Sequence, residues 1–142
     1  MPKLNNSINI SAPVEKVFAY VTDPLTTPEW LVGATEVTDV TGSAVGQHYH
    51  WKYNMLGVPL RGESTVSEHV PNERRVTESK GGITSTWTFT YAPHEGGTKL
   101  DLEIDYTIPV PVLGKLAEKV VFKRNQREAQ MSMENIKERL EV

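Results

Sequence analysis

Alternation of apolar and polar side chains in the middle of the chain constrains the fold more than any other feature of the sequence. In residues 47–55 (QHYHWKYNM), aromatic side chains hold most odd positions, and histidine, lysine and asparagine hold the even ones. Residues 83–91 and 98–106 repeat this period of two. Because successive side chains of a strand point to opposite faces, each segment is predicted to be a strand with one covered and one solvated face.

Turn sequences recur at short intervals around these segments: TGSAVG (41–46), LGVP (56–59), VPNE (70–73), KGG (80–82) and PHEGG (93–97). They separate six predicted strands, at 34–40, 47–55, 58–69, 74–80, 83–92 and 98–108. Short connections join antiparallel neighbours, so the six strands are predicted to form a meander.

The segments before and after this region have different sequence patterns. Residues 3–10 alternate weakly and predict a first strand, and SAPVEKVFAYVTD predicts a helix capped by Ser11 or Ala12 with Pro13 in its first turn. TTPEW predicts a very short second helix capped by Thr27. Residues 112–141 carry helical spacing to the end of the chain. The predicted fold class is α+β, a single domain over 1–142 with the order β-α-α-β6-α and seven strands.

The composition and net charge limit the classes of partner and of site that the chain can have. The net charge of −3 and the absence of a basic run argue against nucleic acid as a partner. The chain has no cysteine, which excludes disulfides, thiolate metal sites and a cysteine nucleophile. The segment MPKLNNSINI lacks the apolar run of a signal peptide, and no window has the length of a membrane span, so we expect a cytoplasmic protein.

His48 and His50 stand two residues apart, as metal ligands often do. A metal site would need a third ligand, which Glu36 or Glu63 on a neighbouring strand could supply, and side chains that orient the ligands. The alternation places both histidines on the solvated face, where a surface pair without metal is the simpler interpretation. We therefore predict no metal and no cofactor.

Several motifs match one known group. INISAPVEKVFAYVTDPLTTPEWL, VGQHYHWKY, VPNERRV and GGTKLDLEIDY together span most of the chain. In these motifs and in its element order, the sequence resembles the START-like helix-grip (SRPBCC) superfamily, within it the polyketide cyclase/dehydrase-like group. The resemblance implies a strongly curved antiparallel seven-stranded sheet wrapped around a long C-terminal helix, with an internal cavity. These motifs are signatures of fold rather than of catalysis.

If such a cavity exists, the covered face of the sheet and of the last helix should line it. The predicted ligand-binding residues are Trp30, Tyr49, Trp51, Tyr53, Ser64, Val66, Trp87, Phe89, Tyr91, Ile104, Tyr106, Phe122, Gln126 and Met133. Small side chains and tyrosines on this face suit a pocket with few polar contacts, although bulky neighbours filling the gaps would give the same pattern. Glu78 is the clearest inward carboxylate in this phasing, with Glu68 possible near the end of its strand. Glu78 is the predicted catalytic residue, because burial raises a carboxyl pKa into the range for proton transfer; a bulge or a shift of register would instead place it outside.

The start of the last helix carries a second apolar stripe, Leu113, Leu116 and Val120, opposite the stripe that faces the sheet. We predict that these residues flank the cavity entrance and that the chain breaks near Gly114; capping the open end of the sheet is the alternative role. Basic residues follow at Lys115, Lys119, Lys123, Arg124 and Arg127. They would suit a transient membrane-surface or homodimer contact.

Two functions remain open on the sequence. The first is binding or carriage of a small hydrophobic or amphipathic molecule, such as a lipid, isoprenoid or polyketide, in the internal cavity. The second is a cofactor-free cyclase or dehydratase that acts on a polyketide-like ligand in the same cavity. A weaker third is an interaction module whose apolar groove takes a peptide or a membrane surface. The shortage of inward ionisable side chains favours binding.

Overall fold

The computed structural model describes residues 3–55, 57–107 and 117–141, with the side chains of 117–120 excepted. The strands are β1 Lys3–Ile10, β2 Ala34–Thr41, β3 His48–Met55, β4 Val58–Val70, β5 Arg74–Gly81, β6 Thr84–His94 and β7 Gly97–Thr107. The helices are α1 Val14–Val21, α2 Thr27–Trp30 and α3 Ala117–Leu140, and a 3-10 turn at Pro24–Thr26 precedes α2. Every predicted strand is present, with ends shifted by no more than two residues.

The strands form one antiparallel sheet in the order β1-β7-β6-β5-β4-β3-β2. Six strands follow the chain as the predicted meander, and β1 closes the other edge by pairing with β7, from Lys3 opposite Asp105 to Ile10 opposite Thr98. The sheet curves around α3, as expected for a helix-grip fold. β2 is the opposite edge strand, and its pairing with β3 shifts register twice, between Ala34 and Glu36 and between Thr38 and Thr41.

The core lies between the curved sheet, α1 and the second half of α3. Leu100 and Leu102 of β7 pack in one buried cluster with Met133 and Ile136 of α3. Leu100, Met133 and Ile136 are completely or almost completely removed from solvent. Burying side chains of this size stabilises the fold by about 1.5–3 kcal/mol each.

Of the α3 residues predicted to face inward, Met133 is fully buried, Phe122 is half-buried and Gln126 is exposed. The buried stripe of α3 is Val121, Asn125, Ala129, Ser132, Met133, Ile136 and Leu140, and Phe122 packs against the core cluster. The prediction that Gln126 faces inward is wrong: Gln126 is exposed and Asn125 is buried. Winding at about 100° per residue places Asn125 within the arc of the buried positions and Gln126 at its margin.

The N-caps of the first two helices differ from the predicted ones by one or two residues. Pro13 precedes α1 as its N-cap, so neither Ser11 nor Ala12 caps it. The amide N–H of Ser11 instead donates to the carboxylate of Glu141 beyond α3, at 2.7 Å. Thr26, not Thr27, is the N-cap of α2.

The predicted break near Gly114 lies outside the described residues. No helix in the described part of the chain is both long and apolar enough to cross a membrane.

Candidate functional site

A cavity of about 160 Å³ opens between the concave face of the sheet, the α2 region and α3. Its wall is mainly aromatic and aliphatic and includes all three tryptophans of the chain, Trp30, Trp51 and Trp87. The period-two pattern produces this wall, because every second residue of β3, β4 and β6 points to the concave face.

Ten of the predicted ligand-binding residues lie on the cavity wall. They are Trp30, Tyr49, Trp51, Tyr53, Ser64, Trp87, Phe89, Tyr91, Ile104 and Tyr106. Edge-to-face contact fixes part of this wall, with the ring centroids of Trp30 and Phe89 6.0 Å apart. Aromatic side chains of this kind offer a rigid apolar surface to a ligand.

The other predicted residues do not line the cavity. Val66 and Met133 are fully buried in the protein interior, and Phe122 packs against the core, so these three support the fold rather than the cavity wall. Gln126 faces solvent. The predicted entrance residues Leu113 and Leu116, and the side chain of Val120, lie outside the described residues.

The phase predicted for β5 is wrong, and with it the placement of Glu78. Glu78 pairs with Thr86 of β6 and with Thr65 of β4, and its side chain is exposed on the outer face. Thr77 pairs with Trp87 and points into the cavity. Directly opposed residues of antiparallel strands share a face, so Arg75, Thr77 and Ser79 line the concave side.

Arg75 is the unexpected residue of the site. It is only 5% exposed and lies on the cavity wall. One guanidinium nitrogen is 3.1 Å from Nδ1 of His69, and the other donates to the side-chain oxygen of Gln47. Among the residues the structure describes, no carboxylate forms an ion pair with this guanidinium. Burial lowers the pKa of Arg75, but from an ordinary value of 12.5 the group stays charged at neutral pH.

His69 adjoins the turn at 70–73 and is half-buried beneath α1. Its ring stacks edge-on against Phe18, with centroids 5.2 Å apart. Burial is the main cause that lowers the pKa of His69, and the charge of Arg75 lowers it further. The neutral imidazole can accept the Arg75 hydrogen bond through Nδ1 only if it carries its proton on Nε2.

Two tyrosines of the cavity wall, Tyr49 and Tyr91, lie near enough to Arg75 to interact with its charge. Burial raises the pKa of Tyr49 and Tyr91, which keeps both hydroxyls protonated at neutral pH and available as hydrogen-bond donors. Ser64 and Ser79 face each other across β4 and β5 with hydroxyl oxygens 2.5 Å apart. The site therefore combines the buried Arg75 guanidinium with several neutral donors.

Three buried polar atoms on the cavity wall have no hydrogen-bond partner within the described part of the chain. They are Nε1 of Trp51, the hydroxyl of Tyr91 and Oδ1 of Asn125. A buried polar group without a partner costs roughly 1–3 kcal/mol. Such atoms on a cavity wall favour an occupant that can donate or accept hydrogen bonds there.

A carboxylate does reach the cavity, from α3 rather than from β5. Glu128 lies on the wall, and its Oε1 accepts a hydrogen bond from Nε of Arg124 at 3.2 Å. Its charge, after burial, contributes to raising the pKa of Tyr53. Lys52, which also lines the cavity, is paired with Glu36 at 2.9 Å. Because Glu128 and Lys52 each have a partner of opposite charge, Arg75 is the unbalanced charge of the cavity among the described residues.

The outer face of the sheet carries the two histidines of β3. His48 and His50 are not part of the cavity wall, and their rings meet edge-on with centroids 5.2 Å apart. Both approach the carboxylate of Glu63 on β4. The predicted two-faced character of β3 is therefore correct.

Comparison with solved structures of other proteins agrees with this architecture. No curated protein sequence matches the chain. Among solved structures, a protein from Thermus thermophilus is 22% identical, with a TM-score of 0.84 over 98% of this chain and 97% of that one. A START superfamily protein from Mycobacterium smegmatis is 15% identical, with a TM-score of 0.77 over 99% of both chains. At such identities the likeness concerns the fold.

The di-domain ARO/CYC StfQ from the steffimycin biosynthetic pathway is also similar, at 15% identity and a TM-score of 0.78, over 98% of this chain and 50% of that one. The sequence profile of the family described as "Polyketide cyclase / dehydrase and lipid transport" matches residues 1–141. This match confirms the resemblance inferred from the sequence motifs. The chain belongs to the polyketide cyclase/dehydrase and lipid transport family, with the START-like helix-grip fold.

Proposed function

We propose that the protein binds or carries a small amphipathic molecule in this cavity, with an apolar body against the aromatic wall and an acidic or carbonyl group at Arg75. Membership of the family supports a hydrophobic-ligand or cyclase role in general terms. The more specific proposal depends on one observation, which is the buried guanidinium of Arg75 without a carboxylate partner among the described residues.

The argument from Arg75 is energetic. A buried charge is costly unless it is paired or fully hydrogen-bonded. Gln47 and His69 satisfy part of the guanidinium, which has five N–H donors in total. A carboxylate or enolate on the ligand would complete the set with charge-assisted hydrogen bonds, each contributing about 1.5–3 kcal/mol.

The cavity volume limits the apolar body of the ligand. An engineered cavity of about 150 Å³ in another protein holds a single benzene molecule, and this cavity measures about 160 Å³. The enclosed part of the ligand is therefore about the size of one aromatic ring. A longer lipid or polyketide would extend through the mouth of the cavity.

Two probes with one skeleton test the proposal. Calorimetric titration with 3-phenylpropanoate and with 3-phenylpropan-1-ol compares a carboxylate with a hydroxyl on the same apolar body. We expect the carboxylate to bind about ten to a hundred times more tightly, the ratio that corresponds to one charge-assisted hydrogen bond. Equal affinity for both probes would contradict the role of Arg75.

Arg74 provides a matched control for Arg75. It is the adjacent residue of β5, points to the outer face and pairs with Glu68 at 2.8 Å. Arg75→Met should abolish the preference for the carboxylate, whereas Arg74→Met, with the same change of charge, should keep it. Loss of the preference in both variants would indicate a general charge effect and not a site.

A cofactor-free cyclase or dehydratase is the second candidate function. The observation that favours it is the presence of Arg75 and Glu128 on one cavity wall. Arg75 could stabilise an enolate as it forms, and the Glu128 carboxylate could accept the proton. The test is conversion of a linear poly-β-ketone, followed by mass spectrometry, with Glu128→Gln expected to slow turnover roughly a hundredfold. Equal product formation with and without protein would exclude catalysis of that substrate.

A further inference from the structure

Three metal-ligating side chains converge on the outer face of the sheet, away from the cavity. Nε2 of His48 lies 3.5 Å from Oε2 of Glu63, and Nε2 of His50 lies 3.6 Å from the same oxygen. One ligand atom from each of the three residues lies within 4.8 Å of the others. The register of β3 and β4 produces this arrangement, since His50 is directly opposite Glu63.

The distances suit a tetrahedral ion. Bonds of about 2.0–2.1 Å from zinc to nitrogen or oxygen place two ligands of a tetrahedron about 3.4 Å apart. Both nitrogen–oxygen distances are close to that separation. One ligand nitrogen of His48 lies within 4.8 Å of one of His50, so rotation of the rings would be needed to bring the two nitrogens to the same spacing.

A fourth side chain orients one of the ligands. Oδ2 of Asp39 lies 3.2 Å from Nδ1 of His50, on the ring nitrogen that does not face Glu63. A carboxylate at one imidazole nitrogen fixes the tautomer and leaves the other nitrogen free to bind metal, as at many zinc sites. Asp39 reaches this position from the irregular part of β2, where its φ is +56°. The sequence alone did not show this orienting residue.

Contrary to the expectation from the sequence, we propose that His48, His50 and Glu63 bind a divalent transition metal of the zinc, cobalt and nickel class, with Asp39 as the residue that positions His50. Imidazole with one carboxylate suits this class better than magnesium or calcium, which prefer oxygen ligands. The bound ion would join β3 to β4 directly and to the edge strand β2 through Asp39. The site and the cavity are on opposite faces of the sheet, so either proposal can fail without the other.

Lys80 affects the expected affinity of the site for a metal ion. Its ammonium lies 3.2 Å from Oε1 of Glu63, leaving Oε2 for the metal but competing for the charge of the carboxylate. Lys80→Met should therefore tighten metal binding. Asp39→Asn should weaken it about tenfold or more, the usual effect of removing a residue that orients a ligand.

The experiment is calorimetric titration of tag-free protein with zinc chloride, with magnesium chloride as the comparison. We expect one zinc ion per chain, no response to magnesium, and affinity at least tenfold weaker in His48→Ala, His50→Ala and Glu63→Gln. His94→Ala is the matched control, because His94 is an exposed histidine beside Glu95 on another strand. Each variant is first checked for an unchanged circular dichroism spectrum.

Two results would overturn the proposal. One is the absence of zinc binding in the wild-type protein. The other is a zinc affinity that is unchanged in His48→Ala and His50→Ala or lost in His94→Ala. Zinc-dependent shifts of the His48 and His50 ring signals in NMR spectra, without shifts at His94, would place the ion on the proposed ligands.

Discussion

Substitution of Gly62 by alanine tests how the tryptophan wall of the cavity is built. Gly62 lies opposite Trp51 in the β3–β4 pair and opposite Gly81 in the β4–β5 pair. A Cβ atom at Gly62 would lie 2.7 Å from Cη2 of Trp51, and closer still to Cζ2 of that ring and to the carbonyl oxygen of Lys80. Ordinary carbon contacts are about 3.5–4.0 Å, so the indole and β5 would both have to move.

The expected cost combines two effects of opposite sign. Overpacking a rigid site typically destabilises a protein by about 1–3 kcal/mol. Replacing glycine by alanine reduces the entropy of the unfolded chain and returns about 0.4–1 kcal/mol. The contacts with both the indole and the Lys80 carbonyl place the overpacking cost in the upper half of that range, about 2–3 kcal/mol. The net loss of unfolding free energy for Gly62→Ala should therefore be about 1–2.5 kcal/mol, measured by urea denaturation, with weaker binding of 3-phenylpropanoate because the indole is displaced.

A double-mutant cycle with Trp51→Leu isolates the contact. Leucine lacks the distal ring, so the penalty of Gly62→Ala should shrink in the Trp51→Leu background, and the residual penalty reports the clash with the Lys80 carbonyl. A Gly62→Ala protein as stable as the wild type would refute the reasoning. So would equal penalties in the two backgrounds, because the indole would then not lie across Gly62.

Other predictions concern His69, Met133 and Glu78. Because burial lowers the pKa of His69 below 6.5, the unfolded chain takes up a proton that the folded protein resists, so stability should fall as the pH drops below about 6.5. In urea denaturation over this pH range, the free energy of unfolding should fall less for His69→Gln than for the wild type, and by the same amount for His94→Gln as for the wild type. An equal fall for His69→Gln and wild type would contradict this. Met133→Ala should cost about 2–5 kcal/mol because the side chain is fully buried, whereas exposed Gln126→Ala should change stability by less than about 0.5 kcal/mol; similar losses would contradict the observed face of α3. Glu78→Gln should leave the affinity for 3-phenylpropanoate unchanged. A tenfold loss of affinity would indicate that Glu78 faces the cavity after all.

Much of the fold could be predicted because hydrophobic periodicity and turn chemistry are local properties of the sequence. β3, β6 and β7 each carry a covered face of aromatic or aliphatic residues, so the pattern indicated their phase without knowledge of the partner strands. The ten predicted residues on the cavity wall lie almost entirely on such strands and on the α2 corner. The boundaries followed from glycine and proline at the turns.

β5 shows why the remainder could not be predicted. Its inward residues are Arg75, Thr77 and Ser79, and its one aliphatic residue before the turn, Val76, is not on the cavity wall. A polar inward face gives no hydrophobic signal, whereas Val76, on the same face of the strand as Glu78, favours the opposite phase with Glu78 inside. The register against β6 contains the missing information, since Thr77 opposes Trp87, but register is a long-range property.

The cluster of His48, His50 and Glu63 on the outer face also depends in part on long-range register. The spacing of His48 and His50 was visible in the sequence, and Glu63 was one of two possible third ligands. The approach of Asp39 was not visible, because it depends on the register shift in β2 that the edge strand makes between Thr38 and Thr41. Irregular pairing of this kind has no simple local signature.

The central claim is that Arg75 receives the acidic group of a cavity-bound molecule. The most direct test is an NMR titration of labelled protein with 3-phenylpropanoate, which follows the Nε–H signals of Arg74 and Arg75 and the indole N–H signals of the three tryptophans. We expect the Arg75 and Trp51 signals to shift together with a single dissociation constant while the Arg74 signal stays in place. Shifts at Arg74 without shifts at Arg75, or a ligand that leaves the Trp51 and Trp87 signals unchanged, would contradict the claim.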